Sequence, residues 1–588
     1  MAFLAASLNK INLTGRKKHR SKEEDADDVG DEIDGNTVAG GGHLARHSAL
    51  HRAELRISSS VQQFLVDRGE LDAADVARDG SPSSPGLVAL LEKPYFKVPP
   101  ELLSRSYTLP EYFVSSSHNT YLMAHQLYGS SSATAYETAL TAGSRCVEID
   151  AWDNDNDKDE PKVTHGYTLV SHISLRAVCE TIRNVIDKEA QLTENDPAFQ
   201  TSPILISLEN HCSPRGQTRI VEIMNEVFGE RLLNQALDHQ GHCDSPASHI
   251  PLGLFGHRVV VIVEYHVPNE LVDSDSSSNS SSDDEEEKAA HKEYHQRKKT
   301  EHDGKIIPEL EALGVYAQSV KPSDNSWFDP GELLNGPHHH LINISETGLS
   351  THMPHSNNQI ARHNSKHMMR VFPKGTRISS RNLTPVKYWA LGAQVCALNW
   401  QTFNAGMQLN EALFTGTDGF VLKPAALRVG GSGDIMTGKK KRLRLHIAGA
   451  SEIAPPKGYG EGEEGGGDWK PYVTCTLVHP GKTFGPIKRK TSGYRQHKLG
   501  FLRSGENLPS TDPMWDETLE WEYEDNELVF LRILVKADLS FSINPNLRVI
   551  AVRLQYIVPG WRFLHLTDFS GHPTSSTLLV RFELEDIN

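Results

Sequence analysis

Gly143-Ser144-Arg145-Cys146-Val147-Glu148-Ile149-Asp150 alternates apolar and polar residues and finishes on two carboxylates. Period two predicts a strand over 145–150, with Glu148 and Asp150 leaving from the same face. Carboxylates side by side repel, and near the C-terminal end of a strand that cost is best explained by a bound cation or an acid–base role. An exposed edge strand would also place polar residues at alternate positions. Val147, Ile149 and Trp152 indicate burial of the opposite face and favour the functional reading.

Working outward, short apolar runs alternate with amphipathic segments from Tyr112 to Tyr265. Leu175–Ile186 and Arg219–Phe228 read as helices, and Pro203–Glu209 and His257–Val263 as strands. Mostly apolar strands alternating with helices imply parallel strands covered by helices, an α/β architecture. The pattern breaks at the Ser-rich, acidic stretch Asp273–Glu287 and the basic Lys292–Lys299, a polyampholyte expected to stay disordered. It resumes near Ile306 through Val315–Ala317, Met369–Phe372, Cys396–Trp400 and Gly419–Pro424, as one barrel split by an insert. After Gly430-Gly431-Ser432-Gly433 the period switches to two. Strand-like runs at Arg442–Ile447, Tyr472–Leu477, Thr518–Tyr523, Val529–Val535, Val549–Leu554, Phe563–Leu566 and Leu578–Leu584 predict an antiparallel β-sandwich.

A chain of 588 residues is too long for one core. The expected divisions are a disordered tail over 1–55, a short helical region over 56–104, two half-barrels over 105–266 and 303–430, a disordered linker over 267–302 and a sandwich over 439–588. The tail carries the basic cluster Arg16–Arg20 and an acidic block, and is read as a solvated segment. A formal charge of −16 argues against nucleic-acid binding through bulk charge. No apolar run is long enough to span a bilayer, and no basic n-region precedes the N-terminal apolar residues, so a cytoplasmic protein is expected. The six cysteines form no C-x-x-C pair and are read as reduced, mostly buried thiols.

Glu209, at the end of the Ile204–Leu208 run, adds a third carboxylate, and Asn119 in F-V-S-S-S-H-N-T-Y-L adds a carbonyl oxygen. An all-oxygen set of this kind suits calcium rather than zinc or copper. His118 and His165 then remain for proton transfer. Together these residues point to metal-assisted phosphoryl chemistry.

S-S-S-H-N-T-Y-L, C-V-E-I-D-A-W-D, H-G-Y-T-L and L-E-N-H-C resemble the X box of eukaryotic phosphoinositide-specific phospholipase C. R-V-F-P-K-G-T-R, A-L-N-W-Q-T and G-F-V-L-K-P-A-A-L-R resemble its Y box, and the closing sandwich resembles the C2 domain that follows. The resemblance implies a (β/α)8-type barrel of X and Y halves. It also implies calcium-dependent hydrolysis of phosphatidylinositol and its phosphates to diacylglycerol and inositol phosphate. By motif, His118 and His165 match the catalytic histidines, and Asn119, Glu148, Asp150 and Glu209 match the calcium ligands. In that scheme the inositol 2-hydroxyl attacks phosphorus, His165 stabilises the phosphorane, His118 assists the leaving side, and Glu148 or Glu209 is the candidate base. Arg370 matches the headgroup arginine, Phe372 replaces a tyrosine, and Asn343 stands where a serine is expected.

The resemblance also implies a phosphoinositide partner in an anionic membrane, visited peripherally. Relatives that favour the bisphosphate lipid carry lysines in the strand matching Gly256–Glu264, and this segment lacks that pair. The sandwich lacks the aspartate-rich loops of calcium-binding C2 domains, with Asp516 standing alone, so docking without calcium is expected there. No D-x-D-x-D-G loop occurs in the short N-terminal region. The rival reading is a catalytically silent phosphoinositide-binding scaffold, which loss of a histidine or a ligand would have favoured; none is lost.

Overall fold

The computed structural model describes residues 55–76, 83–123, 130–165, 171–195, 202–237, 249–266, 306–322, 324–331, 333, 336–374, 381–457, 459, 469–481, 483–495, 509–539 and 545–587. The expected tail up to residue 54 and the 267–302 linker lie outside these residues. Among the described residues the first α-helices are the short α1 (Ser59–Asp67) and α2 (Pro85–Glu92). Ser58 and Ser84 cap them, each side chain accepting from a backbone N–H of the first turn.

The apolar runs of the middle region form eight parallel strands. These are β1 (Tyr112–Val114), β2 (Cys146–Trp152), β3 (Ile204–His211), β4 (Val259–Tyr265), β5 (Gln318–Val320), β6 (His340–Ser345), β7 (Met368–Phe372) and β8 (Val395–Cys396). Hydrogen bonding runs β1-β8-β7-β6-β5-β4-β3-β2. The parallel bridge Ser116–Cys146, with the Ser117 N–H donating to the Cys146 carbonyl at 2.8 Å, returns β1 to β2 and closes the barrel. Alternation then sorts the side chains. Cys146, Leu205, Val260 and Ile262 belong to the inner core. Val147, Ile149, Ile206, Val259 and Val261 pack outward with Val178 and Ile182 of α3 (Leu175–Asn195) and Ile220 and Ile223 of α4 (Pro214–Phe228).

The second half departs in detail from the expected strands. β5 begins at Gln318, just after the apolar run at 315–317, and the Cys396–Trp400 run gives only the two-residue β8 before the chain turns. β6 follows a polyhistidine run and carries Asn343 and Ser345, so its strand character came from pairing on both sides rather than from apolar pattern. The Gly419–Pro424 run forms β9 (Phe420–Leu422), which is antiparallel to β1, with Tyr112 opposite Leu422.

The closing region is an eight-stranded antiparallel sandwich in the order β12-β11-β14-β15-β16-β17-β10-β13. Its strands are β10 (Lys440–Ser451), β11 (Trp469–Val478), β12 (Lys488–Lys490), β13 (Met514–Glu524), β14 (Phe530–Leu539), β15 (Asn546–Arg553), β16 (Gly560–Thr567) and β17 (Pro573–Ile587). Seven match the alternating runs; the eighth, β12, is three basic residues with no apolar signal. The Lys439–Arg442 cluster opens β10 and meets acidic neighbours, Lys441 reaching Asp525 at 3.1 Å and Arg442 reaching Glu522 at 2.6 Å. Asp516 likewise contacts His446 at 2.7 Å. Cys146, Cys179, Cys212, Cys396 and Cys475 are buried free thiols.

Barrel and sandwich share one core. Leu528, Phe530, Leu534 and Val549 of the sandwich join Trp389 and Phe414 of the barrel in a single apolar cluster. Arg532 donates to Gln408 of α5 (Ala405–Phe414) at 2.5 Å, and the Tyr556 hydroxyl donates to the Leu413 carbonyl at 3.0 Å. Helices α1 and α2 dock on the sandwich, where Val61, Leu65, Leu87 and Leu91 bury against Trp561, Phe563 and Leu579. Phe530→Ala should therefore cost about 3–5 kcal/mol and shift one shared unfolding transition. Calorimetry showing two transitions, with only the sandwich weakened, would contradict a common core.

Candidate active site

The C-terminal ends of the parallel strands carry the polar residues. Glu148 and Asp150 leave the inner face of β2, Glu209 leaves β3, and Asp150 is directly opposite Glu209 in the register. Carboxylate oxygens of all three lie within 4.8 Å of one another, the single such cluster of potential metal ligands among the described residues. Glu148 and Asp150 are buried, while Glu209 is open to solvent.

The surroundings hold these charges in place. Arg370 on β7 donates to Glu148 Oε1 at 2.5 Å and to Asn343 Oδ1 on β6 at 3.1 Å. The backbone N–H of Asn119 donates to Glu148 Oε2 at 2.8 Å. The Tyr121 hydroxyl donates to Asp150 Oδ2 at 2.5 Å and lies 3.3 Å from Asn119 Oδ1. The Thr120 hydroxyl accepts the Glu148 N–H at 2.9 Å, and Tyr136 donates to the Glu148 carbonyl at 2.6 Å. Asn119 adopts φ +45°, in the left-handed region where asparagine is the best tolerated residue after glycine. One residue thus supplies both the turn and an amide oxygen.

Asp150 Oδ1 is buried and has no hydrogen-bond partner. Burial first, then the charges of Glu209 and Glu148, push the Asp150 carboxyl well above its ordinary range, with the Tyr121 bond opposing. Three carboxylates against the one guanidinium of Arg370 leave an excess of negative charge, and an unsatisfied buried carboxylate oxygen is costly. This all-oxygen set, with one oxygen unclaimed, fits a hard divalent cation such as calcium.

His118 and Asn343 arrive from different halves of the chain. His118 Nδ1 pairs with Asn399 Oδ1 at 2.8 Å, across 281 positions of sequence. The Asn399 amide nitrogen donates to the Arg381 carbonyl at 3.4 Å, so the amide orientation makes Nδ1 the protonated nitrogen. Burial lowers the His118 pKa below the ordinary value, and Glu148, the next largest influence, pulls it back up. His165 follows the short strand Lys162–Val163, which pairs with Ala151 and Trp152 at the end of β2. The Thr164 N–H donates to the Asp150 carbonyl at 3.3 Å, which ties the His165 loop to the cluster. The Phe372 ring lies 5.5 Å from the Arg370 guanidinium carbon.

Each residue expected at the site therefore lies on strand ends or loops at one mouth of the barrel. Sequence reading missed Tyr121, Tyr136, Asn382 and Asn399, which position others. Asn399 sits within A-L-N-W and Tyr121 within S-H-N-T-Y-L, but only the fold shows whom they contact. Asn382 accepts the Asn399 N–H at 2.6 Å and donates to its carbonyl at 2.9 Å.

Residues 105–264 match the X domain and residues 310–426 the Y domain of phosphatidylinositol-specific phospholipase C. The chain belongs to this family. It is 31% identical over 495 residues to rat 1-phosphatidylinositol 4,5-bisphosphate phosphodiesterase delta-1, covering 81% of this chain and 60% of the rat protein. The Candida albicans protein 1-phosphatidylinositol 4,5-bisphosphate phosphodiesterase 1 is 28% identical over 549 residues, covering 82% of this chain and 48% of that protein. The chain thus spans only about half to three fifths of these relatives' length. The crystal structure of L. pealei PLC21 shares the fold at a TM-score of 0.67 and 24% identity, covering 92% of this chain and 65% of that one.

Calcium should raise the unfolding temperature, by the equivalent of about 2.7 kcal/mol at a hundredfold excess over its dissociation constant. Asp150→Asn should remove most of that rise. An equal calcium response in wild type and variant, followed by differential scanning fluorimetry, would exclude the carboxylate cluster as the binding site.

Proposed function

We propose that the chain hydrolyses the phosphodiester of phosphatidylinositol-type lipids at an anionic membrane surface, releasing diacylglycerol and a soluble inositol phosphate. The observation that carries this reading is the trio Glu148, Asp150 and Glu209 at the barrel mouth, with an unclaimed buried oxygen on Asp150, set beside His118. The rat and Candida relatives, both named 1-phosphatidylinositol 4,5-bisphosphate phosphodiesterases, support an inositol-lipid substrate. No helix among the described residues is long and apolar enough to cross a membrane, which is compatible with peripheral association.

The ring 2-hydroxyl attacks the adjacent phosphorus within one molecule, so the reaction gains from high effective molarity once the ring is held. Asn119, Glu148, Asp150 and Glu209 would hold calcium, which when bound would supply charge compensation and a lowered hydroxyl pKa. The ring's hold comes from Arg370 and Asn343, fixed to each other at 3.1 Å, with Phe372 as an apolar wall. On the leaving side His118 works through Nε2, because Nδ1 is committed to Asn399. His165 faces the developing phosphorane charge. Glu148 is held by both Arg370 and the Asn119 N–H, whereas Glu209 is more open, which favours Glu209 as the group that takes the hydroxyl proton.

Mixed vesicles containing inositol phospholipid should release water-soluble inositol phosphate with the purified chain, and chelating calcium should stop it. His165→Ala should lose about 10² to 10⁴ in rate while still binding vesicles. Vesicle binding without turnover at millimolar calcium would favour a silent scaffold instead.

A further inference from the structure

β6 and β7 are in register, Leu341 beside Met368. One step earlier His340 and His367 are neighbours, and their rings stack at 3.9 Å with 15° between the planes. Each stands three positions before a mouth residue, Asn343 or Arg370, and alternation turns both to the opposite, outer face. His363, near the end of the helix Asn357–Asn364, lies against them, its ring 5.2 Å from either one. His340 and His363 are buried, and Trp327 stands edge-on to His363 with ring centres 4.9 Å apart.

Hydrogens are short in this cluster. His340 Nδ1 lies 3.2 Å from the Pro337 carbonyl, His340 Nε2 lies 2.9 Å from His363 Nε2, and His363 Nδ1 lies 2.9 Å from Asn364 Oδ1. The Asn364 amide nitrogen donates to the Leu391 carbonyl at 2.9 Å, which leaves its Oδ1 as an acceptor. The row of three contacts thus ends on an acceptor at each side, while two neutral imidazoles bring only two N–H groups. Whatever the tautomers, one contact sets two lone pairs face to face. With both Nδ1 atoms satisfied, the deficit falls between the two Nε2 atoms, where a cation resolves it: a third proton or a metal ion. Burial above all holds His340 at about 4 and His363 at about 3. A proton is therefore given up well below neutral pH, whereas a metal binds imidazole in its neutral form.

We propose that His340 and His363 form a site for one divalent transition-metal ion, bound between their Nε2 atoms on the outer face of the second half-barrel. Imidazole nitrogens suit copper, nickel and zinc, unlike the all-oxygen mouth, which suits calcium. Each ring gives its other nitrogen to an oxygen acceptor, the arrangement that fixes the tautomer and the aim of a ligating histidine. Bonds of about 2.0–2.1 Å to two nitrogens 2.9 Å apart subtend about 90°. That is the cis angle of a tetragonal ion, which puts copper(II) ahead of tetrahedral zinc. His367 holds a third nitrogen in the same stack, its Nδ1 buried and without a hydrogen-bond partner. The bound ion ties β6 to the helix that leads into β7, and so steadies the two strands carrying Asn343 and Arg370 without touching the reacting groups.

The test loads the full chain with copper(II) near neutral pH, in excess calcium to fill the mouth, and removes loosely held ion by dialysis against glycine. One equivalent should remain, with a tetragonal electron paramagnetic resonance spectrum split by at least two imidazole nitrogens, and the unfolding temperature should rise. H340F and H363F should each lose that signal, while H338A, which removes an exposed ring of the same polyhistidine run, should keep it. No retained ion overturns the proposal, and so does a spectrum unchanged in H340F and H363F when both melt like wild type. If either variant fails to fold, anomalous diffraction from copper-loaded wild-type crystals decides. A peak about 2 Å from both Nε2 atoms supports the site, and a peak elsewhere overturns it. Nitrogen-15 resonances showing a proton shared between the two rings at neutral pH, with no ion retained, would give the gap to a proton and overturn it as well.

Discussion

Mutual repulsion among Glu148, Asp150 and Glu209 is the constraint around which the barrel mouth is arranged. Carboxylate oxygens within 4.8 Å of each other do not stay together unless the chain forces them, and the forcing is visible. Continuous backbone pairing from Cys146–Leu205 to Trp152–His211 locks β2 against β3, so neither acidic strand end can move away. Arg370, the Asn119 N–H and Tyr121 then absorb part of the charge. What they leave unabsorbed is concentrated on Asp150, whose Oδ1 stays buried and without a hydrogen-bond partner, a remainder that suits a cation.

The same mouth depends on both halves of the split barrel. β1 lies between β2 of the first half and β8 of the second, with Val114 opposite Val395 and Ser116 bridging Cys146. The backbone N–H of His118, just beyond β1, donates to the Leu398 carbonyl at 2.7 Å, and its ring Nδ1 pairs with Asn399 Oδ1. Arg370 reaches from the second half to Glu148 in the first. A half-barrel alone would therefore hold the carboxylates without their counter-charge and the histidine without its orienting amide.

Much of this was legible in the residues. Period-two alternation located β2 and seven of the sandwich strands, and short apolar runs located β3 and β4, because each buries one face or both. The acidic trio was legible too, since side-chain parity and strand ends predict shared faces without knowledge of the pairing. β6 and β12 were not legible: one carries Asn343 and Ser345 and the other only lysine and arginine, and both owe their extension to neighbouring strands. Asn399 and Tyr121 escaped as positioning residues because their partners lie elsewhere in the chain or across a turn.

The packing of Leu528, Phe530, Leu534 and Val549 against Trp389 and Phe414 has a mechanical side. With apolar side chains interdigitated across the seam, and Arg532 and Tyr556 bonded over it, there is no hinge between barrel and sandwich. A body without a hinge meets a flat surface in a fixed attitude. Wherever the sandwich comes to rest, the tilt of the barrel mouth is already decided, and torque on one is carried directly to the other.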